Sequence, residues 1–88
     1  MLEGDTLHGL GGVDYMDGGA GDDSLSGGDG GDAIVGGLGG DSADGGAGDD
    51  VILMGDFLNP TAADGNDVAT GGAGNDLLWG YGGNDTLF

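Results

Sequence analysis

The chain has 88 residues and neither lysine nor arginine. Nothing in it can neutralise a phosphate backbone, so nucleic acid is excluded as a partner. The same lack argues against a grip on acidic polysaccharides. Cysteine is absent too, which removes disulfides, thiolate metal sites and thiol nucleophiles. There is one proline, Pro60, and no apolar run approaches the roughly 18 residues that would suggest a membrane span. No basic-plus-apolar leader stands at Met1, and the chain reads as a piece of something longer. No HExxH or GxSxG string occurs, and the sequence is read as non-enzymatic. The EF-hand pattern D-x-[DN]-x-[DN]-G-x5-E is missing as well. The four threonines stand at unrelated positions, so a regular threonine row of the kind that orders ice does not form.

What the chain does have is 26 glycines and 17 acidic residues, for a formal charge of −17. By composition alone that describes a solvated, disordered linker. Periodicity argues otherwise. Gly18 to Ser26 (GGAGDDSLS) and Gly27 to Val35 (GGDGGDAIV) are two nine-residue units of the form Gly-Gly-x-Gly-x-Asp-x-U-x, where U is a large apolar residue. A nine-residue spacing excludes collagen, whose period is three, and it is the spacing of calcium-binding β-helix repeats. Gly9 to Asp17 is a unit with Leu10 in place of the second glycine, and Gly36 to Asp44 and Gly45 to Leu53 continue the register. Leu2 to His8 is a shortened unit. Residues 54–70 break the rhythm: Met54 to Asn59 echoes the shortened unit, Pro60 interrupts, and Ala62 to Thr70 is degenerate, with Ala69 at the apolar position. Register returns with Gly71 to Trp79 and Gly80 to Phe88.

In each unit the last three residues alternate polar, apolar, polar, as a short strand with one buried face should. Strands of about three residues are therefore expected around Leu7, Met16, Leu25, Ile34, Ala43, Ile52, Leu58, Ala69, Leu78 and Leu87. The glycine-rich segments between them are turns, and glycine recurs too often for a helix. One unit reverses the chain once, so two units complete a coil and each unit stacks on the next but one. The expected fold is an all-β, right-handed parallel β-roll with two short-stranded sheets. Residues 1–88 form one domain, interrupted at 54–70. Leu25, Ile34, Ile52 and Leu78 point inward, while the flanking positions point out.

Stacked turns bring backbone carbonyls and aspartate side chains into a common gap. Calcium suits that gap, since it takes six to eight oxygen ligands with tolerant geometry. Zinc prefers histidine or cysteine, and only His8 is present, at an outward slot. The metal candidates are Asp14, Asp23, Asp32, Asp41, Asp50, Asp67, Asp76 and Asp85, with the turn glycines Gly18, Gly27, Gly36, Gly45 and Gly71. Asp5 and Asp56 are weaker members of the set. The first stacked pairs are expected to be 14 with 32, 23 with 41, and 32 with 50. One ion per stacked pair of turns gives on the order of five to seven ions. Asp22, Asp49, Asn75 and Asn84, one position earlier, are expected to offer their carbonyls and solvate the rim. Asp17, Asp29, Asp44 and Asp64 fall outside the carboxylate slot and are read as surface charge.

These residues resemble the RTX (repeats-in-toxin, haemolysin-type) calcium-binding β-roll of secreted bacterial proteins. Full matches to its repeat stand at Gly18–Ser26, Gly27–Val35, Gly45–Leu53 and Gly71–Trp79. The resemblance implies a module of a larger extracellular protein that is exported unfolded by the type I pathway and folds when it meets calcium outside the cell. The partners so implied are calcium ions and the rest of the parent polypeptide, with end-to-end self-association open to an uncapped solenoid. An alternative reading uses Phe57, Leu77, Trp79, Tyr81 and Phe88, which cluster late in the sequence. There the module is an adhesin or a ligand- or glycan-binding unit with an exposed aromatic patch near Trp79.

Overall fold

The structure is a computed structural model that describes residues 4, 6–55, 65–80 and 85–88. Nine short strands follow in chain order: β1 (Thr6–His8), β2 (Tyr15–Asp17), β3 (Ser24–Ser26), β4 (Ala33–Val35), β5 (Ser42–Asp44), β6 (Val51–Leu53), β7 (Val68–Thr70), β8 (Leu77–Trp79) and β9 (Thr86–Leu87). Each falls on an expected strand position. Odd-numbered strands form one parallel sheet, β1-β3-β5-β7-β9, and even-numbered strands form the other, β2-β4-β6-β8. Equivalent residues pair rung on rung, as Leu7 with Leu25 and Met16 with Ile34. The fold is a parallel β-roll of about four coils, with no helix among the described residues.

The period-two alternation of the strands sets the core. Leu25, Ile34, Ala43, Ile52 and Ala69 are buried, and Met16 is nearly so, one residue per rung. Leu7 and Leu78 are partly buried against this ladder, whereas Leu87, on the last rung, is exposed because no further rung covers it. Val35, expected to face outward, is instead buried. It lies in register between Asp17 and Leu53 of the neighbouring rungs.

The turns stack as well as the strands. Ala20 bridges Leu38, and Asp29 and Ala73 both bridge Ala47, so the third turn residue forms its own ladder. The second turn position requires a left-handed backbone, supplied by glycine at Gly28 (φ 84°) and its equivalents. Leu10 adopts it too, at φ 74°, the one non-glycine described residue to do so. The repeat dictates that conformation whichever residue occupies the slot.

Residues 54–70 need a correction. A strand at Leu58 lies outside the described residues, and counting one there would place β7 in the sheet of β4 and β6. In fact β7 pairs with β5, Ala43 opposite Ala69, and β6 pairs with β8. The chain between β6 (ending at Leu53) and β7 (beginning at Val68) is longer than that between the other consecutive strands. Pairings across it span 26 residues where regular rungs span 18.

Candidate metal centre

Two columns of turns run along the edges of the roll. One contains the turns that end at Asp14, Asp32, Asp50 and Asp76; the other contains those that end at Asp23, Asp41, Asp67 and Asp85. Every turn ends in the unit's aspartate just before a strand begins, and the two-residue pleat turns that side chain inward. Asp23, Asp32, Asp41, Asp50 and Asp67 are each 3% exposed or less, which is core burial for a carboxylate.

In the first column the N–H of Asp14 donates to Oδ1 of Asp32 (3.0 Å), that of Asp32 to Asp50 (2.8 Å), and that of Asp50 to Asp76 (2.9 Å). In the second, Asp23 donates to Asp41 (2.9 Å), Asp41 to Asp67 (2.7 Å) and Asp67 to Asp85 (3.1 Å). The three expected pairs are thus brought together and the ladders continue beyond them. Oδ1 of Asp32, Asp50, Asp76, Asp41, Asp67 and Asp85 is thus committed to the neighbouring rung.

Oδ2 of Asp14, Asp32, Asp41 and Asp50 is buried and accepts no hydrogen bond. An ionised oxygen held this way costs several kcal/mol unless a cation meets it. The first glycine of the turn makes the arrangement sterically possible. A Cβ built on Gly9 or Gly18 would lie 2.5 Å from Oδ2 of Asp14 or Asp23, and 2.8 Å from the carbonyl of Gly27 or Gly36 in the turn above. On Gly27 it would meet Asp32 and the Gly45 carbonyl, and on Gly36 it would meet Asp41 and the Met54 carbonyl. Each bare glycine face therefore opens onto a carboxylate oxygen and a carbonyl oxygen from successive rungs.

The electrostatics follow from this burial. Burial, opposed by the hydrogen bond from the Asp23 backbone and reinforced by the charges of Asp67, Asp23 and Asp22, pushes the Asp41 carboxyl up to about 8. Asp50 is also raised, chiefly by burial, with the charges of Asp76 and Asp32 adding to it and the Asp32 backbone hydrogen bond opposing. Without a cation, the column resists holding all its charges at once.

Among the described residues no three carboxylate or imidazole side chains converge on one point. The donor set is instead one carboxylate oxygen per rung plus backbone carbonyls, all hard oxygens. That chemistry fits calcium and offers nothing to zinc. No helix among the described residues is long and apolar enough to cross a membrane.

Asp22 and Asp49 sit differently from the sequence expectation. They do not merely solvate the rim. Oδ1 of Asp22 accepts from the N–H of Gly40 (2.8 Å), and Oδ1 of Asp49 accepts from Asn75 (2.9 Å). They form an outer ladder running opposite to the inner one, whose only trace in sequence is the doubled acid at turn positions five and six. Asp17 and Asp44 are exposed, and each accepts from the N–H two residues ahead, Gly19 and Gly46, which fixes entry into the turn. His8 is exposed. Leu77 and Trp79 share the outer face of β8, while Phe88 follows β9 in the other sheet, so the late apolar residues divide between two faces. Asp5, Asp56, Phe57, Asp64, Tyr81 and Asn84 lie outside the described residues.

A parallel β-roll whose stacked glycine turns bury a ladder of carboxylates beside backbone carbonyls defines a cation-binding repeat protein. The family model for the RTX calcium-binding nonapeptide repeat (four copies) matches residues 3–25, 26–57 and 61–88. The chain belongs to that family, a structural calcium-binding repeat rather than an enzyme family. Comparison with curated proteins and with solved structures gives no match.

Proposed function

We propose that this chain is a single calcium-dependent folding module, spanning residues 1–88, of a larger secreted bacterial protein. Asp14, Asp23, Asp32, Asp41, Asp50, Asp76 and Asp85 would hold the ions with their carboxylates, aided by backbone carbonyls of Gly18, Gly27, Gly36, Gly45 and Gly71. Asp67 belongs to the same ladder. Calcium supplies charge neutralisation and a cross-link between successive turns. The chain itself supplies the rest: hydrogen-bonded ladders that hold Oδ1 of Asp32, Asp41, Asp50, Asp67, Asp76 and Asp85, and glycine faces that open onto the carboxylates. The observation that carries this reading is the buried, unsatisfied Oδ2 of Asp14, Asp32, Asp41 and Asp50.

On this reading the chain is disordered where calcium is scarce and folds cooperatively outside the cell, in keeping with type I export of the parent. Site affinities fall in the extracellular range of about 10⁻⁴–10⁻³ M, and about five to seven ions bind, one per stacked pair of turns. Far-UV circular dichroism during calcium titration, with magnesium as control and chelator added at the end, tests the proposal. A cooperative coil-to-β transition reversed by chelator is expected. A chain equally ordered in chelator would overturn it.

A further inference from the structure

Met54 stands where the repeat has the first glycine of a turn. Its N–H donates to the Trp79 carbonyl (2.8 Å), the bond that Gly18 makes to Val35 and Gly36 makes to Leu53. It is therefore the first-position residue of the turn ending at Asp67. At the equivalent glycines a Cβ would collide with the turn's own aspartate, including Asp76 beside Gly71 and Asp85 beside Gly80. Met54 carries that Cβ and a thioether besides. Its side chain is fully buried, in the same apolar cluster as Ile52, Ala43 and Ala69.

Resting on the calcium reading above, we infer that the Met54 side chain takes the place of a cation at the Asp67 carboxylate. This one rung is held by apolar packing, and the column of Asp23, Asp41, Asp67 and Asp85 carries one ion fewer than the column opposite. Two further observations converge on this. Ala43 and Ala69 are successive small residues in the odd-numbered sheet, where Leu25 stands one rung earlier. A flexible methionine fills the volume they leave. The neighbouring cradle is loosened as well: a Cβ on Gly36 would lie 2.8 Å from Asp41 Oδ2, against 2.5 Å at Gly9 and Gly18. Thioether sulfur is a soft donor and does not replace oxygen for calcium. The Met54 carbonyl still faces Gly36 at 3.1 Å, so the Asp41 cradle keeps its oxygen pair and only the Asp67 cradle is lost.

The test is an ion map of the whole wild-type chain, from anomalous diffraction of crystals grown in terbium, alongside calorimetric calcium stoichiometry of wild type, Met54→Gly and Met54→Leu. Ions are expected at the Asp14, Asp32, Asp41 and Asp50 cradles and none in contact with both Asp67 and the Met54 backbone. Met54→Gly should bind one more calcium than wild type, and Met54→Leu the same number. An ion at Asp67 equivalent to the others, or unchanged stoichiometry in Met54→Gly, overturns the inference and leaves the calcium reading intact. A map with no ions at any cradle overturns the calcium reading itself. Should Met54→Gly not fold, the wild-type map decides alone.

Discussion

Replacing Asp32 by asparagine separates the two roles of its carboxylate and should have opposite effects with and without calcium. Oδ1 of Asp32 accepts from Asp14 and its N–H donates to Asp50, so it lies between two stacked gaps. Asparagine keeps the acceptor and the shape but removes the charge. In the calcium-bound state the loss of a charged acceptor and a charged ligand costs about 3 kcal/mol. If folding is coupled to about five ions, that raises the calcium midpoint about threefold. In the metal-free state the sign reverses. Neighbouring carboxylates at a rung spacing of roughly 4.8 Å repel by about 3.5 kcal/mol each at an effective dielectric of about 20, and Asp32 has two such neighbours. Asp32→Asn should therefore fold at lower osmolyte concentration than wild type in chelator, yet need more calcium when calcium is the trigger. Far-UV circular dichroism reads both midpoints. Asp29→Ala, an exposed turn acid off the ladder, should change either by less than about 1.2-fold, the equivalent of about 0.5 kcal/mol spread over the coupled ions. If Asp32→Asn moves both midpoints the same way, or Asp29→Ala matches it, the carboxylate ladder is not what binds the ions.

Proton competition gives a second expectation. Asp41 is pushed up to about 8 in the metal-free fold, above its ordinary carboxylate value. Its contribution to the metal-free fold is fully present below that ordinary value and is lost as pH rises through about 8. Lowering pH from 8 to about 5 should accordingly compact the metal-free chain while raising the calcium midpoint. Potentiometry at pH 7 should show protons released on calcium addition, and an absence of release would contradict the raised value. Leu10→Gly relieves a left-handed backbone at an exposed side chain and should stabilise the calcium-bound fold by roughly 1 kcal/mol in denaturant titration. Gly28→Ala combines φ 84° with a Cβ driven into the Leu10 carbonyl, whereas a Cβ on Gly11 meets nothing within 4 Å. The first should abolish calcium-induced folding at millimolar calcium, and Gly11→Ala should leave the midpoint within about twofold.

The strands were legible because nine-residue spacing repeats a backbone geometry that tertiary context does not override. Every described strand is centred where the apolar residue recurs. The carboxylate pairs were legible for the same reason, since stacking of alternate units places Asp14 beneath Asp32 wherever the turns have equal length. Legibility ended where the period of the structure, two units, differs from the period of the sequence. Reading by nines averages the two sheets. It concealed that Tyr15, Ala33, Val51 and Leu77 line one outer face in register while Thr6, Ser24 and Ser42 line the other. Nor does it say which sheet the strand at Ala69 joins, because a strand-like string at Leu58 carries no information about that. The outer Asp22 and Asp49 bonds depend on a neighbour 18 or 26 residues away, and the burial of Met54 depends on residues of other rungs. No local pattern encodes those distances.

The same two-unit stacking makes the fold conditional. Six inner-ladder hydrogen bonds align six pairs of neighbouring carboxylates. At about 3.5 kcal/mol per pair, full ionisation would oppose the roll by about 20 kcal/mol, more than the roughly 5–15 kcal/mol of net stability typical of a whole domain. Against it stands a core one side chain wide, from Met16 to Ala69, in which two of the rungs are alanine. Hydrogen bonds cannot close that gap, since those of the ladder already use Oδ1 and leave Oδ2 of Asp14, Asp32, Asp41 and Asp50 unmet. Protonation relieves only part of it near neutral pH, as the raised Asp41 carboxyl does. A divalent cation between rungs turns each repulsive pair into a shared ligand set. On the calcium reading proposed above, that is why a chain without a single basic side chain can be specified by its sequence and yet wait for an ion to fold.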